Sequence, residues 1–293
     1  MQIPISRIAP TPSGYLHLGN IINFIYTWTL VRNGGGKLWL RIDDLDQNRT
    51  KDAYIEDIFS TLDWLGFDFD YGPATVQELK SRYSFIHYYG AFKRYVEKLL
   101  RDKKAYACTC SRKDLKEFGN LYPGFCRQKE FTLRPGNSSA RIVLVPETIN
   151  LEGRSIKIAE HYGDFVIWRK EDIPSYHLAS TLFDAKNQIN TIVRGIDLFQ
   201  STAAQLGLAK TVGLNHFLTT DFIHHRLYAP QGVKLSKSNK DDSIARMRYS
   251  GESKSAILTK AARFMGITAT ISTLSDFLPY MHTIKEHNAN TRS

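Results

Sequence analysis

The sequence is poor in cysteine and contains no long apolar run. The 293-residue chain has three cysteines, all in one part of the sequence. An odd, clustered set argues against a disulfide framework and makes a metal site the more relevant possibility. The absence of an apolar run of about 18 residues excludes a transmembrane helix and a membrane partner. The first residues lack the basic and apolar regions of a secretory signal peptide. We therefore expect a cytoplasmic protein.

The composition is that of a folded, basic protein. Hydrophobic residues make up 42% of the chain, which is enough for a core and argues against disorder. The chain has 39 basic and 29 acidic residues and a net charge of +10 at pH 7. Because lysine and arginine contact phosphate groups, this excess favours a polyanionic partner, although a merely soluble basic protein would also show it.

The N-terminal quarter alternates between strand-like and helix-like segments. Residues 3–9 and 37–42 are predicted strands, and residues 16–32 and 52–65 are predicted helices, the second of which stops at Gly66. This order predicts the opening of an α/β fold with a doubly wound parallel sheet. Further helices are predicted at 82–103, 199–212 and 253–264, further strands at 140–145, 163–168 and 189–194, and a frayed polar tail at 287–293.

The first motif with chemical meaning is Arg7-Ile-Ala-Pro-Thr-Pro-Ser-Gly-Tyr-Leu-His17-Leu-Gly-Asn20. It joins the end of a predicted strand to the start of a helix by a stiff turn. In an open parallel sheet, ligands bind at this end of the strands, where the free N–H groups of a helix N-terminus attract phosphate. We expect His17 in the first turn of the helix, facing a triphosphate, and Gly19 to let a base or ribose approach the backbone.

The second motif is Lys234-Leu-Ser-Lys237-Ser238. Two lysines with hydroxyl groups beside them can clamp a leaving pyrophosphate by stabilising the charge of the transition state. Alone, such a run is more often a solvated loop, and a lone His-x-Gly is more often a loop histidine.

Together and in this order, the two motifs resemble the signatures of the class I aminoacyl-tRNA synthetases. His17-Leu-Gly-Asn20 stands where that family has His-Ile-Gly-His, and the lysine motif stands where it has Lys-Met-Ser-Lys-Ser. The resemblance implies a Rossmann-type catalytic domain that binds ATP with Mg²⁺ and uses His17, Lys234 and Lys237 in catalysis. The implied ATP-binding residues are Pro10, His17, Gly19, Asn20, Lys234, Leu235, Ser236, Lys237 and Ser238.

Longer matches resemble the glutamyl branch of this family. They are Arg7 to Gly14, Arg41-Ile-Asp-Asp-Leu-Asp46, Pro174-Ser-Tyr176-His-Leu-Ala and Ile192-Val-Arg194-Gly-Ile-Asp197. Carried over to this sequence, the resemblance implies a glutamate pocket formed by Arg7, Thr11, Asp43, Tyr176 and Arg194. Two arginines suit a substrate with two carboxylates, because a guanidinium binds a carboxylate bidentately. Asp43 replaces a glutamate that contacts the substrate ammonium, so this contact is expected to be longer or water-mediated, which leaves the choice of amino acid open.

The cysteines lie in one short segment with a tyrosine. Cys108, Cys110, Tyr122 and Cys126 could supply the four ligands that structural zinc prefers, but three idle buried cysteines explain the spacing equally well. Short members of the glutamyl branch resemble this sequence at the same four positions, which implies a structural Zn²⁺. The resemblance also implies four segments: residues 1–104 and 138–240 as two halves of the catalytic domain, 105–137 as a zinc-binding insertion, and 241–293 as a helical C-terminal extension.

The short distance from Ser238 to the last residue, Ser293, bears on the substrate. Ordinary glutamyl-tRNA synthetases continue there with stem-contact and anticodon-binding parts. The sequence instead resembles a short branch that activates L-glutamate with ATP without tRNA and transfers it to queuosine in the anticodon stem-loop of tRNA(Asp). This resemblance implies a monomeric, cytoplasmic ligase.

Two alternatives remain at this point. One is a truncated glutamyl-tRNA synthetase that charges a tRNA 3′ end, which a separate anticodon-binding chain would favour. The other is a non-catalytic RNA-binding or regulatory paralogue, which the intact His17, Lys234 and Lys237 argue against.

Overall fold

A computed structural model describes residues 2–116, 121–228 and 243–290. Its strands are β1 (Ile5–Ile8), β2 (Lys37–Leu40), β3 (Ala105–Cys108), β4 (Ser139–Ile142), β5 (Thr148–Leu151), β6 (Arg154–Lys157), β7 (Val166–Trp168), β8 (Thr191–Gly195) and β9 (Asp221–His225). Its helices are α1 (Leu18–Asn33), α2 (Asp52–Leu65), α3 (Val76–Glu78), α4 (Tyr89–Arg101), α5 (Arg112–Lys116), α6 (Ile158–Tyr162), α7 (Tyr176–Lys186), α8 (Phe199–Val212), α9 (Asn215–Leu218), α10 (Ile244–Tyr249), α11 (Lys254–Phe264) and α12 (Met281–Asn290). None of these helices is both long and apolar enough to span a membrane.

The chain divides into two compact units. The first contains Met1–Ser84, Thr191–Asp197 and Ile223–Ser293, and the second contains Phe85–Asn190 and Leu198–Phe222. The predicted boundaries at residues 104, 137 and 240 stay a prediction.

The first unit holds the parallel strands that the sequence predicts. Strands β1 and β2 pair in parallel, with Arg7 opposite Trp39, and β8 lies against β1 and helix α1. Helix α1 is apolar around most of its circumference, as expected for a helix that is buried rather than amphipathic. Its side chains form one core with those of β2, α2, α11 and a 3₁₀ turn, including Ile21, Ile25, Leu38, Ile58, Leu258 and Phe277. This core fixes the carboxyl ends of the strands relative to the N-terminus of α1.

Asp70, in the loop after α2, joins β2 to α1. Its carboxylate lies 2.8 Å from Lys37 Nζ and 2.8 Å from Arg32 Nη1, and it accepts a hydrogen bond of 2.9 Å from Leu38 N. Burial raises the pKa of Asp70, but the bonds to Lys37, Arg32 and Leu38 N outweigh it and lower the pKa to about 2.

We expect Asp70→Asn to lower the free energy of unfolding at pH 7 by about 1 kcal/mol, a small value because these ion pairs are partly screened by water. A carboxylate whose folded-state pKa is lowered stabilises the fold above its unfolded pKa and loses this effect as the pH falls. The difference between wild type and variant should therefore shrink from about pH 4 towards pH 2. Urea unfolding at a series of pH values measures it, and a difference that is constant with pH would contradict this assignment.

The second unit contains antiparallel strands. A three-stranded sheet has the order β3-β4-β7, and β5 and β6 form a separate hairpin. Helices α4 to α9 complete this unit. The sheet presents the end of β3, where the first cysteine lies, next to the start of β4.

The prediction of one helix over residues 82–103 is wrong at its start. A π-helical turn, Leu79–Tyr83, and a 3₁₀ turn, Phe85–Tyr88, precede α4. Between them Ser84 is extended, with ψ of 140°, and its hydroxyl donates to Asp44 Oδ2 at 2.5 Å. This bond spans 40 residues of sequence, and helical periodicity gives no sign of it.

The prediction of a frayed tail from residue 287 is also wrong for the residues that the structure describes. Helix α12 continues to Asn290. Asn288 is buried and donates to the His224 carbonyl oxygen at 3.0 Å, so the last helix is fastened to β9. A polar sequence hides this, because its key contact is a hydrogen bond rather than an apolar face.

Candidate functional site

The turn after β1 is fixed to the segment after β2. Arg41 N donates to the Ile8 carbonyl oxygen and Asp43 N donates to the Pro10 carbonyl oxygen, each at 2.9 Å. The predicted residues Pro10 and Asp43 therefore lie together at the carboxyl ends of two parallel strands. Ligands of open α/β sheets bind in this position. Thr11, the next residue of the turn, is exposed.

His17 is the N-cap of α1 rather than a residue of its first turn, so the expected position was wrong by one residue. Its side chain is exposed, and its backbone N–H donates to Asn20 Oδ1 at 3.0 Å. Asn20, a predicted ATP ligand, thus has a capping role. An N-cap lies where the helix dipole attracts anions, so the cap position also suits a phosphate-contacting histidine.

Gly19 leaves room for the imidazole of His17. A Cβ at this position would lie 3.1 Å from His17 Cε1 and Nδ1, and 3.7 Å from Tyr228 Cβ. A larger residue at this position would require the exposed imidazole of His17 to shift by a few tenths of an ångström. Its predicted contact with a base or ribose stays a prediction.

The lysine motif, Lys234 to Ser238, lies outside the described residues, which stop at Tyr228 and resume at Ser243. Tyr228 lies next to Gly19, because its Cβ would be 3.7 Å from a Cβ at position 19. On the other side, Ser243 forms an antiparallel bridge with His17, and Ile244 N donates to the Leu16 carbonyl oxygen at 2.7 Å. The described residues on either side of the gap, Tyr228 and Ser243, therefore lie beside the N-terminus of α1.

Two predicted pocket residues are buried arginines on neighbouring strands. Arg7 lies on β1 with 4% of its surface exposed, and Arg194 lies on β8 with 3% exposed. A guanidinium keeps its charge, and burying a charge is unfavourable unless anionic or polar groups compensate it. Both have partners within the protein, and a guanidinium has five N–H donors, so each could in addition bind a carboxylate of a substrate.

Asp43 is held by an arginine that we did not predict as a site residue. Arg41 Nε donates to Asp43 Oδ1 at 2.6 Å and Arg41 Nη2 donates to Oδ2 at 3.0 Å. Both side chains are buried, with 2% and 6% exposed. A substrate ammonium would therefore have to use the remaining lone pairs of the carboxylate. The Arg-x-Asp spacing was the available signal, because residues two apart in an extended segment point to the same side.

Tyr176 belongs to the second unit, where it is the first residue of α7 and is half-buried. Ser175 caps this helix by accepting a hydrogen bond from Leu178 N at 3.3 Å. The cap fixes where Tyr176 begins the helix. Its contact with glutamate stays a prediction.

The three cysteines meet in the second unit, and Tyr122 meets them there. The three Sγ atoms lie within 4.8 Å of one another, with 3.6 Å between Cys110 and Cys126. The Tyr122 hydroxyl lies 3.4 Å from both Cys108 Sγ and Cys110 Sγ. In tetrahedral zinc with Zn–S bonds of about 2.3 Å, neighbouring ligand atoms are about 3.6–3.8 Å apart. The donor set therefore fits zinc after small shifts.

Arg141 lies over this cluster. Its guanidinium carbon is 4.0 Å from the centroid of the Tyr122 ring. Burial raises the pKa of the Cys108 thiol, but hydrogen bonds with Tyr122 and Arg141 outweigh it, so the net pKa is below its ordinary value. Burial and hydrogen bonds with the three thiols raise the pKa of the Tyr122 hydroxyl. A bound metal ion would act against this second effect, because it favours deprotonated ligands.

A buried carboxylate fastens the cysteine segment to the sheet. Asp164 is fully buried and receives hydrogen bonds from Arg127 Nη2 at 2.6 Å and from the Tyr106 hydroxyl at 2.7 Å. Arg127 follows Cys126 directly, so the ion pair places that thiol. Gly163 has φ of 55°, and a Cβ there would lie 2.6 Å from the Tyr122 carbonyl oxygen, so only glycine allows this close approach.

The comparisons with known proteins agree with this geometry. The family model for the catalytic domain of class I tRNA synthetases (E and Q) matches residues 5–121 and 128–293. The chain belongs to this family of ligases. Residues 122–127, which lie between the two matched ranges, include Tyr122 and Cys126.

Similar proteins in Pseudomonas indicate the branch of the family to which the chain belongs. The glutamyl-Q tRNA(Asp) synthetase of Pseudomonas aeruginosa strain PAO1 is 36% identical over 272 residues, which cover 89% of this chain and 85% of that protein. The protein of the same name from Pseudomonas syringae pv. syringae is 32% identical over 268 residues, covering 89% and 84%. The predicted glutamyl branch is thereby confirmed.

Two solved structures confirm the predicted class I α/β fold. The glutamate–tRNA synthetase of Elizabethkingia anophelis has a TM-score of 0.76 at 22% identity, with 94% of this chain and 65% of that one covered. The glutamate–tRNA ligase of Elizabethkingia meningosepticum, in complex with its amino acid, has a TM-score of 0.76 at 20% identity, with 99% and 70% covered.

Proposed function

We propose that this chain activates L-glutamate with ATP and transfers the glutamyl group to queuosine in the anticodon of tRNA(Asp). The observation that carries the proposal is the pair of buried arginines, Arg7 and Arg194, on adjacent strands of the unit that contains the N-terminus of α1. Family membership and the names of the Pseudomonas relatives support it. We also propose that the protein is monomeric and cytoplasmic.

The reaction has two steps. The α-carboxylate of glutamate attacks the α-phosphate of ATP, which forms glutamyl-adenylate and releases pyrophosphate. A hydroxyl of the queuosine ring then attacks the acyl carbon and releases AMP. No protein nucleophile is needed, because positioning and charge stabilisation supply the rate enhancement.

The residues of the first unit divide this work. Arg7 and Arg194 hold the carboxylates, and Asp43, oriented by Arg41, accepts from the ammonium. His17 and the helix N-terminus receive the phosphates, together with Lys234, Lys237 and the Mg²⁺ that accompanies ATP. Thr11 adds a hydrogen bond to glutamate, and Gly19, Leu235, Ser236 and Ser238 complete the nucleotide site.

Zinc has a structural role in this proposal. Cys108, Cys110, Tyr122 and Cys126 would hold Zn²⁺, since their atoms already have nearly tetrahedral spacing. The metal would close the loop between β3 and β4 and would take no part in the chemistry.

ATP–pyrophosphate exchange with each of the twenty amino acids, with and without tRNA, tests the first step. Glutamate-dependent exchange without tRNA is expected. Transfer of labelled glutamate to tRNA(Asp) that contains queuosine, but not to tRNA(Asp) that lacks it, is expected for the second. Exchange that requires tRNA, with label at the 3′ end, would identify a charging enzyme instead, and no exchange at all would leave a non-catalytic paralogue.

Lys237→Ala should lower the rate of exchange by about 100-fold or more, because the lysine would stabilise charge mainly in the transition state. Folding, measured by circular dichroism, should not change. Lys240→Ala is a matched control, since it removes a lysine from the same stretch outside the motif. An equal loss in both variants would reject the specific role of Lys237.

A further inference from the structure

The second unit has an open groove of about 440 Å³ between α4, the end of α7 and the start of α9. We call it the aromatic groove; the residues used below are Tyr88, Phe92, Tyr95, Phe183, Lys186 and Asn215, all of which line it. Its volume is within the range of about 300–1,000 Å³ that is usual for ligand pockets. None of its lining residues has a role in the activity proposed above.

One side of the groove is a rigid aromatic cluster. The rings of Tyr88 and Phe92 are nearly parallel, with centroids 6.0 Å apart, and Phe183 meets Tyr88 edge-on at 6.1 Å. Phe92 and Phe183 are buried, so the cluster is anchored in the core of the unit. The half-buried ring of Tyr88 is the part of this cluster on which a flat, unsaturated ligand can stack.

The polar side chains of the groove are the ammonium of Lys186, the hydroxyls of Tyr88 and Tyr95, the amide of Asn215 and the imidazole of His216. Lys186 Nζ lies 5.2 Å from the centroid of the Tyr88 ring. The hydroxyl of Tyr95 and the amide of Asn215 form no hydrogen bond with any residue that the structure describes. No carboxylate side chain lines the groove.

This combination fits a nucleotide. A base can stack on aromatic side chains, an amide and a hydroxyl can bond to its edge, and an ammonium can contact its phosphate. A basic peptide would lack a carboxylate partner here, and an acidic peptide would leave the aromatic cluster unused. The net charge of +10 favours the same polyanionic partner.

We propose that the aromatic groove binds an unpaired nucleotide of the RNA substrate, outside the site of glutamate transfer. The inference rests on the proposed function only in taking tRNA as that substrate. A second contact on the RNA would allow the enzyme to select a folded stem-loop rather than an isolated modified nucleoside.

Binding of tRNA(Asp) to Tyr95→Leu and Lys186→Ala, measured by filter binding at several salt concentrations, tests the proposal. For Tyr95→Leu we expect Kd to rise by about 2- to 10-fold, the usual effect of losing one neutral hydrogen bond. For Lys186→Ala, the slope of log Kd against log salt should fall by about one. Lys157→Ala removes the same charge from an exposed hairpin of the same unit and should have a smaller effect.

Two further variants show whether a loss of RNA binding is due to misfolding. Asn215→Ala removes an exposed amide and should weaken binding severalfold with the fold intact. Tyr249→Leu removes the tyrosine of the first unit that is 94% exposed and should leave binding unchanged. Wild-type affinity in both Tyr95→Leu and Asn215→Ala would overturn the proposal, as would equal competition by a fully paired duplex and an unpaired strand.

Glutamate-dependent pyrophosphate exchange without tRNA separates this proposal from the proposed function. All the variants should retain it at the wild-type rate. If wild-type protein fails to exchange but Tyr95→Leu still weakens RNA binding, the proposed function is wrong and the groove stands. If exchange is present but Tyr95→Leu and Asn215→Ala both bind RNA as tightly as wild type, only the groove proposal is wrong.

Discussion

Arg194→Ala is expected to raise the glutamate KM in pyrophosphate exchange by about 100-fold or more while the KM for ATP changes little. The reason is that each hydrogen bond between charged groups contributes about 1.5–3 kcal/mol, and a bidentate guanidinium–carboxylate pair forms two of them. The side chain is 3% exposed on β8, so water cannot readily replace the lost contact. The effect should be specific for the amino acid.

Arg194→Lys is the informative control for this variant. It keeps the positive charge but loses the planar pair of donors, so an intermediate KM is expected. Circular dichroism should show both proteins folded. Turnover equal to wild type at low glutamate concentration in Arg194→Ala would reject Arg194 as a carboxylate ligand.

Local sequence signals predicted several regular elements of both units well. Helices α2 and α8 have the predicted bounds, because each is followed by a glycine, Gly66 or Gly213, in the left-handed conformation that ends a helix. The parallel order of β1 and β2 follows from the alternation of strand and helix. In these places the local signal and the tertiary structure agree.

The errors arose where distant residues decide the structure. Ser84 interrupts a predicted helix because its hydroxyl bonds to Asp44, and Asn288 prolongs a predicted tail helix because its amide bonds to His224. Neither partner lies within a helical turn of the residue that it fixes, so no periodicity reveals it.

The candidate site also combines residues that the sequence predicts with contacts that only the structure reveals. Resemblance picked out Asp43, but only the structure shows that Arg41 holds its carboxylate. The aromatic groove combines residues from three separate stretches, 88–95, 182–186 and 213–216, that share no motif. Motifs therefore predict residues that act through local backbone geometry, whereas a surface assembled from distant helices needs the fold itself.

We expect the stability of the second unit to depend on a metal ion bound by the cysteine segment. Three thiols, a phenol and two arginines converge within one unit, and Asp164 fixes one of these arginines, Arg127, beside Cys126. Arg141 and Arg127 add positive charge near ligands that would be thiolates in a zinc site. The described residues between Thr109 and Asn137 contain no helix or strand longer than the five residues of α5, so the metal would supply order that secondary structure does not supply there.

Cys126→Ser should therefore reduce bound zinc from about one atom per chain to nearly none and lower the free energy of unfolding by about 3 kcal/mol or more. That is a fraction of the roughly 10–16 kcal/mol found for structural zinc in small zinc-finger domains, since the second unit also has its own apolar core. Elemental analysis and urea unfolding measure the two effects. Thr109→Ser, between two of the cysteines, should change neither.

A chelator gives the decisive comparison. Removal of zinc should destabilise wild type and Thr109→Ser to about the level of Cys126→Ser, and should have no further effect on Cys126→Ser itself. Glutamate-dependent exchange should fall only as far as the folded fraction falls, because the metal would hold structure and not substrate. Wild-type protein purified without zinc, or a chelator effect that persists in Cys126→Ser, would contradict the assignment of the cysteine cluster as a zinc site.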